Sequence, residues 1–224
     1  MTESPRTSRA KIFIVDDHPI VRRGLAQLLA DESDLEVCGE APDGAMALRL
    51  LDEAQPDVII VDLSLERGIG GIELIKEILA RNEEMKILVS SMHDEKLFAE
   101  RCLNAGAMGY VNKQEAPENI VRAIRRILAG KVYVSEEMSE RFLARMVRGE
   151  DLRERTSATD SLSDRELEVF ELIGRGHTTR QIAQDLHLSV KTIETYRENI
   201  KAKLSLANTT ELMQHAVKWV LDAK

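Results

Sequence analysis

Val58-Ile59-Ile60-Val61-Asp62 is the stretch that decides the fold. Four apolar residues run without alternation, as in a strand covered on both faces. A carboxylate then closes the run at its C-terminal edge, where open α/β sheets gather their ligands. The same design recurs along the first half of the chain. Ile12-Phe13-Ile14-Val15 leads to Asp16 and Asp17, Ile87-Leu88-Val89-Ser90 leads to Ser91, and Gly109-Tyr110-Val111 leads to Lys113. These runs predict strands near 11–16, 35–40, 58–62, 86–90 and 109–112. Stretches of helical period lie between and after them, near 18–31, 44–55, 71–81, 95–105 and 117–129. Five repeats of strand then helix predict a doubly wound, five-stranded parallel sheet.

That topology brings Asp16, Asp17, Asp62, Ser91 and Lys113 to one rim. A carboxylate is a poor nucleophile toward a phosphorylated donor, because both are negative. A divalent cation between them removes the repulsion. Asp17 and Asp62 each offer a hard oxygen, and Asp16 can orient a metal-bound water. The Lys113 ammonium can neutralise a phosphoryl oxygen as a point charge, and a serine hydroxyl can donate to another. Ser90 and Ser91 are both placed to be that serine. Any one acid at a strand end is commonly a solvated loop residue or a helix cap; the joint occurrence is what points to phosphoryl transfer onto a carboxylate.

The 224 residues carry a net charge of −8, which at first argues against nucleic acid. The distribution changes that reading: residues 161–224 hold nine acids and nine bases, so the whole excess lies in residues 1–160. An acidic first half beside a neutral second half fits two domains with different partners. No stretch is apolar enough to span a bilayer, and Met1 to Ala10 lacks an apolar signal core, so a cytoplasmic protein with no membrane partner is expected. The two cysteines, Cys38 and Cys102, read as small buried apolar residues rather than a disulfide.

The expected organisation is a first domain at 1–130, a connecting segment at 131–160 and a second domain at 161–224. Within the connection, Ser135 to Arg148 has weak helical amphipathicity, and Gly149 to Ser161 is a polar linker. From Leu162 every signal is helical. Ser163 to Glu166 is a capping box with Leu162 placed to staple onto Leu167, Thr178 to Gln181 is a second box, Ser189 caps a third helix, and Asn208 opens a fourth. A short helix, a tight turn at His187-Leu188 and a longer helix make a helix-turn-helix candidate. On the longer helix Ile193, Tyr196, Ile200 and Leu204 form the expected buried stripe. Lys191, Glu194, Thr195 and Glu198 then face outward, Arg197 sits at the margin within reach of a phosphate, and Lys201 lies on the flank. Each glutamate is either a reader of cytosine amino groups or a partner for Lys191 or Lys201 along the helix.

Residues 11–130 resemble a bacterial response-regulator receiver domain. The resemblance rests on Ile14-Val15-Asp16-Asp17-His18, Val61-Asp62-Leu63, Ser91-Met92-His93-Asp94 and Gly106-Ala107-Met108-Gly109-Tyr110-Val111-Asn112-Lys113. It implies a flavodoxin-like fold with Asp62 as acceptor of a phosphoryl group from a sensor histidine kinase. It implies Mg²⁺ (or Mn²⁺) held by Asp17, Asp62 and the backbone carbonyl of Ser64, with Asp16 acting through water. Ser91 and Tyr110 become the switch pair, Ser91 being favoured by its spacing from Lys113, and Lys113 the phosphate-contacting cation. Two positions depart from the pattern: no proline follows Asp62 in the loop Ser64 to Gly71, a change expected to lengthen or loosen that loop, and Gln114 stands where many receivers have proline.

Residues 162–217 resemble the LuxR-type DNA-binding domain, and the chain as a whole the NarL/FixJ type of transcription factor. The match runs through Leu162 to Glu166, Gly176-His177, Gln181 to Ala183, Leu188 to Ile193 and Lys203-Leu204. It implies a four-helix unit that binds double-stranded DNA. Lys191, Glu194, Thr195 and Glu198 would meet the groove, with Thr192 and Arg197 near the backbone and Lys201, on the flank, a further DNA-binding candidate. Leu212, Ala216, Trp219 and Val220 lie on the helix that this family uses for dimerisation. The expected function is a phosphorylation-controlled regulator of transcription, a homodimer when active. Two other readings compete. A phosphatase with an aspartyl-phosphate intermediate would commonly carry a second acid two residues after its nucleophile, where Ser64 stands here. A regulator governed by protein contacts alone would not need the intact acids and Lys113.

Overall fold

The computed structural model describes residues 9–65, 68–147 and 158–222. They divide into two compact units, with the boundary between Glu140 and Arg141.

The first unit alternates strand and helix: β1 Ala10–Val15, α1 Pro19–Ala30, β2 Leu35–Ala41, α2 Gly44–Ala54, β3 Val58–Val61, α3 Gly71–Arg81, β4 Lys86–Ser91, α4 Glu95–Asn104, β5 Gly109–Asn112 and α5 Pro117–Leu128. All pairings are parallel, in the order β2-β1-β3-β4-β5. The expected doubly wound, flavodoxin-like sheet is therefore the one observed. Its inner strands are apolar along 12–15, 58–61 and 87–89 because both faces are covered there, whereas the edge strand β2 carries Glu36 and Glu40. Ile12, Ile14, Val58, Ile60 and Leu88 pack with Leu25 and Leu29 of α1 and Ile120, Ile124 and Ile127 of α5. The alternate residues Phe13, Ile59, Ile87 and Val89 are equally buried and point to the opposite face.

In the loop after β3, where the expected loosening would fall, residues 66–67 lie outside the described residues, but both ends are anchored. Leu63 and Leu65 are buried, and the Gly71 N–H donates to the Leu63 carbonyl at 3.3 Å. A Cβ at Gly71 would lie 2.5 Å from the Asp62 carbonyl oxygen, so only glycine lets α3 start this close to the strand end.

Beyond α5 the chain continues to build on the sheet. Tyr133 bridges Gly109 in parallel: its N–H donates to the Met108 carbonyl and its carbonyl accepts from the Tyr110 N–H, each at 2.9 Å. The Ser135 N–H donates to the Glu95 carboxylate of α4 at 2.8 Å, and helix α6, Glu136–Val147, follows. The first unit thus takes in residues that composition assigned to the connecting segment. Most of the expected linker, Gly149–Ser161, lies outside the described residues; Ala158–Ser161 forms a single 3₁₀ turn.

The second unit holds α7 Asp164–Gly174, α8 Thr179–Asp185, α9 Val190–Lys203 and α10 Thr209–Asp222. Its helices start where the sequence places caps. Ser163 and Thr178 both form complete capping boxes, and Ser189 accepts from the Thr192 N–H. Neither cysteine is in a disulfide; Cys102 is buried and Cys38 only half-buried. No described helix is long and apolar enough to cross a membrane.

Candidate functional site

Backbone pairing fixes the acidic rim. The Asp62 N–H donates to the Val15 carbonyl and the Asp16 N–H to the Ala41 carbonyl, so both residues extend the sheet at its C-terminal edge. The Lys113 N–H is tied to the Ser91 carbonyl. From that anchor the Lys113 side chain crosses to both acids, its Nζ 2.7 Å from Asp16 Oδ2 and 2.6 Å from Asp62 Oδ2. Asp16 and Asp62 are each only 2 % exposed. Burial alone would pull the Lys113 ammonium down, but the charges of Asp62 and Asp16 outweigh it and hold its pKa above the usual value.

Oxygen and nitrogen atoms of Asp16, Asp17, His18 and Asp62 approach within 4.8 Å of one another. Three carboxylates at this spacing are a hard, anionic donor set that fits a divalent cation of the Mg²⁺ or Mn²⁺ type. The Ser64 N–H donates to Asp62 Oδ1 at 3.2 Å, which brings the Ser64 backbone to the same mouth. His18 went unassigned in the sequence. Its Nδ1 lies 2.6 Å from Asp17 Oδ1, and only its adjacency to the paired acids hinted at this.

Ser91 closes β4 fully buried, and its Oγ accepts from the His93 N–H at 3.2 Å. Ser90, the other candidate, is buried as well. Tyr110, the expected partner of Ser91 in the switch pair, lies inside. It is 1 % exposed, and its hydroxyl donates to the His93 carbonyl at 2.9 Å. Asn112 Nδ2 donates to the same carbonyl at 3.0 Å. The His93 ring stacks on Phe98, with centroids 4.4 Å apart and planes at 17°, and its Nε2 is 2.9 Å from Ser64 Oγ. His93 thus touches both flanking loops, a role the sequence did not reveal.

In the second unit α8 and α9 are joined by Leu186–Ser189, a turn with His187 at φ 52°. Lys191, Glu194, Thr195 and Glu198 are exposed on one face of α9, and Thr192 is half-buried beside its N-terminus. The buried stripe is rotated from the expected one: Ile193, Arg197 and Ile200 are its most buried members, while Tyr196 and Leu204 are only half-buried. Arg197 therefore lies inside rather than at the margin, its Nε 3.8 Å from a Glu194 oxygen. Lys201 Nζ pairs with Glu198 at 2.9 Å. Both glutamates are engaged along the helix, Glu194 with Arg197 rather than with Lys191.

The dimerisation residues need correction. Leu212, Ala216 and Val220 are buried within their own unit, where α10 packs on α7. A Cβ at Gly174 of α7 would lie 2.4 Å from the Ala216 carbonyl oxygen, which shows how closely the helices meet. Trp219 packs against Phe170 at 5.6 Å. Helical periodicity found the apolar stripe of α10, but that stripe is spent on the core. The exposed apolar residues of α10 are Met213, Val217 and Leu221.

Comparison with known proteins agrees with this geometry. Residues 12–125 match the response regulator receiver domain, and residues 160–216 match the bacterial regulatory proteins of the luxR family. The response regulator GacA of Pseudomonas aeruginosa is 36% identical over 208 residues, spanning 93% of this chain and 95% of that protein. The oxygen regulatory protein NreC of Staphylococcus carnosus is 35% identical over 210 residues, spanning 93% and 97%. Among solved structures, RcsB of Salmonella enterica serovar Typhimurium, bound to promoter rprA in the presence of the phosphomimetic BeF₃⁻, aligns at TM-score 0.59 and 28% identity, over 94% of this chain and 99% of that one. A LuxR-family response regulator from Aurantimonas sp. SI85-9A1 aligns at TM-score 0.58 and 39% identity, over 62% of this chain and 99% of that one. The chain belongs to the NarL/FixJ family of two-component response regulators, and it is a phosphorylation-controlled, DNA-binding regulator of transcription.

Proposed function

We propose that Asp62 is the phosphoacceptor and that a sensor histidine kinase is its donor. The observation that carries this is the Lys113 ammonium bridging two buried acids, Asp16 and Asp62, at the sheet's C-terminal edge. An Asp62 oxygen forms the new P–O bond as the P–N bond of a donor phosphohistidine breaks. The Lys113 ammonium then shifts its hydrogen bond from the Asp62 carboxylate to a phosphoryl oxygen, keeping its charge, and the Ser91 hydroxyl donates to another. Asp17, Asp62 and the Ser64 carbonyl would hold Mg²⁺ or Mn²⁺, with Asp16 acting through water. A bound divalent ion supplies the positive charge that lets two anions meet.

Output follows through DNA. Lys191 and Thr195 of α9 face a major groove, with Thr192 and the α9 N-terminus on a phosphate. The Glu198–Lys201 pair favours the salt-bridge reading of Glu198 over base reading. Phosphorylation promotes a homodimer, for which Met213, Val217 and Leu221 are the available apolar face. A DNA-binding regulator of this kind works in the cytoplasm and needs no turnover chemistry.

The test is incubation with radiolabelled acetyl phosphate and Mg²⁺. The wild-type chain takes up one acid-stable label and Asp62→Asn takes up none. Stoichiometric label on the variant overturns the assignment of Asp62. DNA retention that ignores the label points instead to control by protein contacts alone.

A further inference from the structure

We propose that His93 is a positioning residue that makes phosphoryl capture and the placement of Tyr110 a single event. The inference rests on Asp62 as phosphoacceptor. Besides the Lys113 ammonium, two groups are placed to grip a phosphoryl oxygen: the Ser64 N–H, which donates to Asp62 Oδ1 at 3.2 Å, and the Ser91 hydroxyl. Ser64 lies in the loop after β3 and Ser91 at the end of β4. His93 joins them. Its Nε2 reaches Ser64 Oγ at 2.9 Å, and its N–H reaches Ser91 Oγ at 3.2 Å.

The same residue holds the output side. The His93 carbonyl accepts from the Tyr110 hydroxyl and the Asn112 amide, so two β5 side chains hang on one peptide unit. The stack on Phe98, itself fully buried in α4, fixes the plane of the imidazole. When Ser91 is drawn toward a phosphoryl oxygen, its Oγ carries the His93 peptide with it, and the carbonyl on which Tyr110 rests moves too. The imidazole supplies the fixed point. Held by Ser64 on one side and Phe98 on the other, it converts the pull into a defined displacement of the peptide. Without that hold, the pull dissipates as loop motion.

The chain has three tyrosines, so fluorotyrosine labelling of the full-length protein gives three ¹⁹F resonances, and Tyr110→Phe assigns one of them. Adding beryllofluoride with Mg²⁺ gives a further ¹⁹F signal from the bound mimic in the same spectrum. Occupancy of Asp62 and the response of Tyr110 are therefore read separately. In the wild type the bound signal arises and Tyr110 shifts. In His93→Ala the bound signal persists while the Tyr110 shift falls below about one third of the wild-type value. Ser64→Ala reproduces that loss, and the double variant is no worse than either single one, as expected for two ends of one bond. His93→Gln, which can still hydrogen-bond Ser64, restores more than about half of the shift. A Tyr110 shift of wild-type size in His93→Ala with the mimic bound overturns the proposal, as does equal loss in His93→Gln or additive loss in the double variant. No bound signal in the wild type would instead overturn the phosphoacceptor reading.

Discussion

Lys113 Nζ stands 2.6 Å from Asp62 Oδ2, an ammonium pressed against the carboxylate that must later act as nucleophile. Asp16 shares the same cation at 2.7 Å. Removing one partner of such a buried group leaves uncompensated charge, at a cost of about 3 kcal/mol. Lys113→Met is therefore expected to lower receiver stability by about that amount in metal-free urea denaturation, with part of the loss recovered in Mg²⁺. A variant as stable as wild type without metal would mean that the acids are better solvated than their burial implies.

In the second unit, Glu166 links two elements. Its carboxylate accepts from the Ser163 N–H at 2.7 Å and from Lys203 Nζ of α9 at 2.6 Å. Burial pushes its pKa up, but the Lys203 and Ser163 hydrogen bonds prevail and hold it below the usual carboxylate value of 4.5. A depressed folded-state pKa stabilises the fold above the unfolded value, and the gain is lost as pH falls through the folded one. The unit should accordingly weaken as pH drops below 4.5. The sole tryptophan, Trp219, sits on Phe170 within this unit, so its fluorescence reports the transition. Glu166→Gln should flatten the acid limb, and Glu166→Ala should cost about 1 kcal/mol at neutral pH through the lost cap.

Arg197 and Lys191 lie on the same helix yet should behave differently. Lys191 is exposed on the outward face, whereas Arg197 is in the buried stripe with Ile193 and Ile200. Lys191→Ala is expected to weaken binding to mixed-sequence duplex and reduce the salt slope by about one unit. Arg197→Ala should leave the salt slope in place and lower the stability of the unit by about 1–2 kcal/mol, through lost packing of its aliphatic stem. A reversed pattern would put Arg197 on the DNA backbone.

Neighbouring positions on α10 separate core from interface. Ala216→Asp buries a charge against Gly174 and should destabilise the unit by more than about 3 kcal/mol. Val217→Asp lies on the exposed face and should change stability by less than about 0.5 kcal/mol, while weakening the beryllofluoride-induced dimer in sedimentation. A dimer of undiminished strength would move the interface away from α10.

Much of this was readable from residues alone. The five strands and five helices of the receiver fall where apolar runs and helical period put them, and Asp16, Asp62 and Lys113 meet because strand ends meet in a parallel sheet. The helix starts at Asp164 and Thr179 were visible in their capping boxes, since caps are local chemistry. What escaped depends on distant packing. Periodicity marked Leu212, Ala216 and Val220 as a stripe, but nothing in α10 says that α7 covers it. Helical spacing puts Arg197 at the margin of α9, because its charge suggests reach toward solvent, although its stem completes the stripe Ile193–Arg197–Ile200. His93 was in view beside Ser91, yet its bond to Ser64 spans 29 residues and exists only after two loops fold toward each other.

Tyr133 carries a practical lesson about where this protein can be cut. Its backbone satisfies the Tyr110 N–H and the Met108 carbonyl at the outer margin of the sheet. A fragment ending at Gly130, just after α5, would strip that margin bare and leave hydrogen-bonding groups of β5 open to any passing strand. Such a fragment should aggregate, whereas one ending near residue 140 keeps its own seal and should remain monodisperse.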